Sequence, residues 1–196
     1  MGSRKYTDRL FLAIELPRFA REQILDKRKK WRKKIDWDVR WIPPLNLRLA
    51  LRYLGEIEVS KSKQLCRKIE TLTGKTPPFQ LTVDQVGGTP TNREAKSIWL
   101  SFEETSELKG LLKGIETASK ELQLPKDKKP FKPRITLSRL ATEPQSIPNL
   151  TIKPEFKGFK VKSLALVESR MGQNGPSYHQ LKKFELLGSL EASSKS

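Results

Sequence analysis

The chain carries one cysteine, Cys66, and one histidine, His179, among 196 residues. A lone cysteine forms no internal disulfide, which fits folding in a reducing cytoplasm. A single histidine excludes a catalytic histidine pair. With no cysteine cluster, no H-x-x-x-H spacing and no dense carboxylate set, no metal site is expected, and no cofactor motif is present. No apolar run approaches the roughly 20 residues of a membrane span. The start, Met1-Gly2-Ser3-Arg4-Lys5, has no apolar signal-peptide core. Thirteen prolines and 11 glycines are too few and too scattered for a collagenous or low-complexity chain. Acid is scarce: 22 Asp and Glu stand against 39 Lys and Arg, a formal net charge of +17. Such a field draws in polyanions, nucleic acid first and anionic membrane second.

What is present is enough to build a core. Four Trp, eight Phe and many Leu and Ile exclude wholesale disorder, and the length suits one large domain or two small lobes. The apolar run Arg9-Leu-Phe-Leu-Ala-Ile-Glu15, ended by Pro17, predicts a buried strand. Residues 18–35 predict a helix with Ala20, Ile24, Trp31 and Ile35 on one face. Seven of the eight residues from 27 to 34 are basic, and this block is a candidate surface for a phosphate backbone or simply a solvated helix face. Strands are expected at 47–54, 79–86, 96–102, 133–140, 156–169 and 178–187, with a turn at Gly87-Gly88. Helices are expected at 61–73 and, with a full apolar stripe from Leu108 to Leu122, at 105–122. Strands outnumber helices without regular alternation, the pattern of an α+β fold.

Two segments repeat: Leu47-Arg-Leu-Ala-Leu-Arg-Tyr-Leu54 and Pro133-Arg-Ile-Thr-Leu-Ser-Arg-Leu140. At a constant offset Arg48 matches Arg134, Leu51 matches Leu137 and Leu54 matches Leu140. Strand alternation sends Leu49, Leu51, Ile135 and Leu137 inward. It sends Arg48, Ala50 and Arg52, and likewise Arg134, Thr136 and Ser138, to the opposite, polar face. If the two units face each other, Arg48 and Arg134 line one cleft and form a clamp for anionic oxygens. Otherwise they edge a sheet and meet solvent or a carboxylate.

This organisation resembles the two-histidine (2H) phosphoesterases, and within them the RNA 2′,3′-cyclic phosphodiesterases, once called 2′-5′ RNA ligases. The pieces that carry the resemblance are Arg9-Leu-Phe-Leu-Ala-Ile-Glu-Leu-Pro17, Val39-Arg-Trp-Ile-Pro43, Asn46-Leu-Arg-Leu-Ala-Leu-Arg-Tyr-Leu-Gly-Glu56, Pro130-Phe-Lys-Pro-Arg-Ile-Thr-Leu-Ser-Arg-Leu140, Val167-Glu-Ser169 and Gly175-Pro-Ser-Tyr178. It implies a duplicated bilobal domain over 9–188, with two antiparallel sheets around a central cleft, helices outside, and tails at 1–8 and 189–196. It also implies a pair of H-x-T-x motifs, whose histidines act as general acid and base on a phosphodiester and whose threonines bind the phosphate. Here the motif positions read Arg48-Leu-Ala-Leu51 and Arg134-Ile-Thr-Leu137. Both histidines are arginine and one threonine is Ala50. Arginine stays protonated above pH 12 and cannot shuttle protons, though it can bind and polarise a phosphate.

The expected site is therefore a phosphate clamp of Arg48, Arg134 and Thr136 in a monomer that takes RNA or a nucleotide by its phosphate end. The expected RNA contacts are Lys27, Arg28, Lys30, Trp31 and Lys34, with Tyr178 stacking on a base. Trp41 and Tyr53 are softer stacking candidates, and Arg139 is open between a phosphate and a buried carboxylate. Three functions compete: a binding protein with little or no phosphodiesterase activity, an active cyclic phosphodiesterase, and an interaction module without nucleotide. Strand alternation turns His179 away from the cleft if Tyr178 faces it.

Overall fold

A computed structural model describes residues 7, 9–35, 38–127, 130–140, 143–148, 150, 156–172 and 175–189. Both expected tails lie outside the described residues apart from Thr7 and Ser189. The elements are β1 (Arg9–Glu15), α1 (Arg18–Trp31), β2 (Val39–Trp41), β3 (Arg48–Gly55), α2 (Val59–Lys75), β4 (Phe79–Thr89), β5 (Ser97–Phe102), α3 (Ser106–Glu121), β6 (Arg134–Leu140), β7 (Gly158–Val161), β8 (Ser163–Gly172) and β9 (Gly175–Glu185). They form a four-stranded sheet in the order β3-β1-β8-β9 and a five-stranded sheet in the order β2-β6-β5-β4-β7. The pairings within both sheets are antiparallel. The two sheets lie around a central cleft with the helices outside, as the α+β reading requires.

Alternation explains how each sheet serves two faces. In β1, Leu10, Leu12 and Ile14 enter the main core with Leu49, Ile98, Leu100 and Ile135, so one apolar cluster joins the two sheets. Phe11 and Ala13 point the other way and pack with Ala165 and Val167 of β8, with Ala50 and Tyr178 against them. Each fully buried Leu or Ile contributes about 1.5–3 kcal/mol, so this core outweighs the pull of the charged surface. α3 starts where Thr105 accepts a hydrogen bond from the Leu108 N–H, a cap worth about 1 kcal/mol. Leu108, Leu111 and Ile115 then bury its apolar stripe.

Four expectations about elements need correction. α1 ends at Trp31 rather than at residue 35. The short β2 was not expected; it pairs with β6 from Val39↔Leu140 to Trp41↔Ser138. The segment 156–169 is two strands, β7 and β8, broken at Lys162. Gly87-Gly88 is no turn but lies inside β4. The reason is packing: a Cβ on Gly87 would sit 2.5 Å from the Trp99 ring, so only glycine lets that indole lie flat across the strand.

Candidate functional site

The repeated segments occupy equivalent places. β1–α1–β3 and β5–α3–β6 are each an antiparallel strand pair joined through a helix. Glu15 opposes Arg48 and Ala13 opposes Ala50. Ser101 opposes Arg134 and Trp99 opposes Thr136. One offset along the chain relates all four pairs. Both copies also carry a bulge at the same position. Arg52 pairs with Leu12 while Ala50 pairs with Ala13, leaving Leu51 extra. Ser138 pairs with Ile98 while Thr136 pairs with Trp99, leaving Leu137 extra.

An extra residue reverses the alternation beyond it. Arg52 and Ser138, expected on the polar face, are instead turned inward and are 5% and 0% exposed. Tyr53 and Arg139 take their places on the cleft side, where Tyr53 lies across from Phe11 at 5.7 Å between ring centroids. β3 and β6 touch across the two sheets, and the Arg139 charge is close enough to Tyr53 to favour its phenolate against the burial that raises its pKa.

Arg48 sits on the floor of this region. Its side chain is nine-tenths buried. Its guanidinium lies 4.9 Å over the Tyr178 ring and 5.9 Å from Phe11. Nη2 donates to the Leu45 carbonyl at 2.7 Å, and Glu15 stands 3.8 Å from Nη1, an ion pair too long for a hydrogen bond. Nε and Nη1 are buried with no acceptor among the described residues. Burial holds the Arg48 pKa below the ordinary guanidinium value, Glu15 and Tyr178 oppose this, and Arg21 adds to it. Arg21 of α1, which donates to the Leu16 carbonyl, thus places a second cation beside Arg48.

The second half differs. Arg134 Nη1 donates to Thr89 Oγ1 at 3.0 Å, and that same oxygen accepts from Trp99 Nε1 at 3.0 Å. The guanidinium lies 5.8 Å from the Trp99 ring. The residue opposite is the neutral Ser101, whose hydroxyl donates to Asp84 at 2.9 Å. Thr136 is half-buried beside Trp99. Sequence reasoning missed Glu15, Ser101, Thr89 and Trp99. The common offset is the available signal for the first two, since it relates Glu15 to Ser101 as it relates Arg48 to Arg134.

Arg52, turned inward by its bulge, ties the two halves together. Nη1 meets Glu116 of α3 and stands 3.8 Å from Asp127, and Nη2 donates to the Pro125 carbonyl at 2.6 Å. The Tyr53 N–H bonds to the Asp127 carboxylate, whose pKa burial raises while Arg52 pulls it down.

No family model matches the chain. It is 31% identical over 193 residues to the RNA 2′,3′-cyclic phosphodiesterase of Escherichia coli K12, covering 91% of this chain and 96% of that one. It is 30% identical over 186 residues to the Thermus thermophilus protein of the same name, covering 92% and 91%. Among solved structures, E. coli LigT complexed with 3′-AMP superposes with a TM-score of 0.77 at 29% identity, over 91% of this chain and 98% of that one. The chain belongs to the RNA 2′,3′-cyclic phosphodiesterase family.

On this phosphodiesterase fold the expected RNA contacts separate into two groups. Lys30 and Lys34 are exposed around the end of α1, with Arg32 and Lys33 exposed beside them. Lys27, Arg28 and Trp31 are corrected: they are 9%, 9% and 3% exposed. Trp31 is a core residue. Arg28 donates to the Ile42 carbonyl at 2.8 Å and covers the Trp41 ring at 4.8 Å, because the end of β2 and the residue after it pack over α1. Trp41 is thereby covered too. Tyr178 does face the cleft, edge-on to Phe11 at 5.5 Å, and His179 is exposed, opposite Glu168. No helix is long and apolar enough to cross a membrane, and no group of potential metal ligands occurs, among the described residues.

Proposed function

We propose that this chain is an RNA-binding member of the cyclic phosphodiesterase family that holds a phosphate-bearing RNA end between Arg48, Arg134 and Thr136 and turns it over very slowly or not at all. The observation that carries the reading is Arg48, a buried guanidinium whose Nε and Nη1 have no acceptor among the described residues. Burying such donors costs free energy that only a ligand rich in acceptors recovers. Arg48 and Arg134 are taken to stand where the family has its acid–base histidines. Arginine at both places removes proton transfer worth roughly 10²–10⁴-fold per group, effects that need not multiply. Tyr53 and Tyr178 offer aromatic faces beside the clamp for a base. The exposed cations Lys30, Arg32, Lys33 and Lys34 around the end of α1 would meet the RNA backbone. The reading needs no metal and no cofactor, and it treats the chain as a cytoplasmic monomer.

Family membership and Thr136 favour a second reading, an active cyclic phosphodiesterase with water or another side chain as base. One experiment separates the two. A short RNA ending in a 2′,3′-cyclic phosphate is given to the protein and to the R48H/A50T/R134H variant, and hydrolysis and binding are followed together. The proposal expects binding by both and turnover by the variant alone. It also expects affinity to fall steeply with salt, with a slope of about 0.7 per phosphate contacted. Comparable turnover by the unaltered protein sinks it in favour of the second reading. Absence of binding at low salt sinks both.

A further inference from the structure

We infer that the clamp selects a terminal phosphomonoester dianion over a cyclic phosphodiester monoanion, so that its ligand is RNA carrying a 2′- or 3′-phosphate. This rests on the phosphate-site reading above and names the ligand within it. Two observations carry it. First, the clamp carries several guanidinium donors without an acceptor among the described residues, which three charged oxygens pair better than two. Arg48 offers the N–H of Nε and the N–H groups of Nη1, with only Nη2 bonded. Arg134 has one guanidinium hydrogen bond among the described residues, to the neutral Thr89 hydroxyl. A cyclic diester presents two free oxygens and one charge. A monoester presents three strong acceptor oxygens and a charge near −2 once its second proton, with a pKa of about 6, is lost.

Second, the surroundings leave net positive charge at the clamp. On the Arg48 side stand Glu15 at 3.8 Å, Arg21 and the neutral phenol of Tyr178. Tyr53, with Arg139 and Asp127 acting on it, lies beyond Phe11. Asp127 is engaged by Arg52 and by the Tyr53 N–H. On the Arg134 side Asp84 is held by Ser101, and Thr89 and Trp99 are neutral. Glu15 is thus the one carboxylate paired with a clamp arginine among the described residues, and Arg48, Arg21 and Arg134 against it leave an excess of positive charge that a monoanion offsets only in part. A dianion uses both guanidiniums.

The pH dependence follows from the same groups. Arginine keeps its proton between pH 5 and 9, so the group whose charge changes is the ligand. Monoester affinity therefore rises as the ligand ionises through pH 6 and stays high to pH 9, while affinity for the cyclic end is flat. A clamp built on histidine would do the opposite, losing its cations as pH rises past about 6.5.

The test uses the full chain and four RNAs of one short sequence ending in 2′-phosphate, 3′-phosphate, 2′,3′-cyclic phosphate or hydroxyl. Affinities are measured calorimetrically at pH 5, 6, 7 and 8 and fixed ionic strength. One further charge-assisted hydrogen bond corresponds to roughly tenfold to hundredfold in affinity. The expected result is a monoester at least tenfold tighter than the cyclic end at pH 8, with that margin shrinking at pH 5 and shrinking again at pH 8 in Arg134→Met. Equal binding of cyclic and monoester ends, both tighter than hydroxyl, overturns the selectivity and leaves the phosphate site standing. Equal binding of all four ends overturns the site itself.

Discussion

Replacing Arg48 with methionine should leave stability nearly unchanged while removing most of the affinity for a phosphate end. The guanidinium is buried with Nε and Nη1 unsatisfied. Each such donor costs about 1–3 kcal/mol, so the two weigh roughly 2–6 kcal/mol against the ligand-free fold. On the other side are three contacts. The charged hydrogen bond to the Leu45 carbonyl contributes about 1.5–3 kcal/mol. The contact with Tyr178 contributes about 0.5–2 kcal/mol. The long pair to Glu15, itself 39% exposed and able to take up water when abandoned, contributes at most about 1 kcal/mol. The two sides cancel to within about 2 kcal/mol, and the methionine side chain fills the space of the arginine stem. Urea unfolding with linear extrapolation reads the first quantity. Titration with a phosphate-ended RNA reads the second, where a loss of roughly tenfold to hundredfold is expected. A stability loss above about 3 kcal/mol, the size seen when a working buried ion pair is broken, would refute the reasoning by making Arg48 a part of the fold rather than a vacant ligand group. Full retention of phosphate affinity would refute it from the other side.

Arg52 is the contrasting case, since both its terminal nitrogens are engaged. Arg52→Leu leaves Glu116 with Lys120 alone, removes the Arg52 charge beside Asp127 and frees the Pro125 carbonyl; it should cost about 3 kcal/mol in urea unfolding. Gly87→Ala forces the Trp99 ring off its strand; a loss of about 1–3 kcal/mol and a shift in tryptophan emission are expected, and an unchanged spectrum would count against this packing. Asp127 has a folded pKa raised by burial above its ordinary 3.8. The folded state therefore binds that proton more tightly, and the associated stability is present below the ordinary pKa and lost as pH rises through the raised one. Asp127→Asn should remove that component, so the difference in unfolding free energy between the two proteins should change as pH rises past the ordinary 3.8 and become constant once Asp127 is ionised in the folded state; a pH-independent difference would rule it out.

Much of the fold was legible in the sequence because it depends on local periodicity. The continuous apolar run in Arg9–Glu15 and the apolar stripe of α3 specify their elements without reference to the rest of the chain. The repeated strands were equally plain, and with them the equivalence of Arg48 and Arg134. Period-two reasoning also set Tyr178 and His179 on opposite faces, since no bulge intervenes between those two residues.

What the sequence could not decide was everything that depends on a partner strand. A bulge is a property of two strands in register, so the extra residues Leu51 and Leu137 left no mark in either strand alone. Their effect was to bury Arg52 and Ser138 and to bring Tyr53 and Arg139 to the cleft. The same holds for the basic helix, where seven of eight residues are cationic. Only the return of Trp41 and Ile42 over α1 determined that Arg28 is covered and that Lys30 and Lys34 remain exposed. Composition and periodicity set which residues prefer the interior. Pairing and packing, which join residues distant in the chain, set which charged groups are left without partners, and those groups are what the site has to offer a ligand.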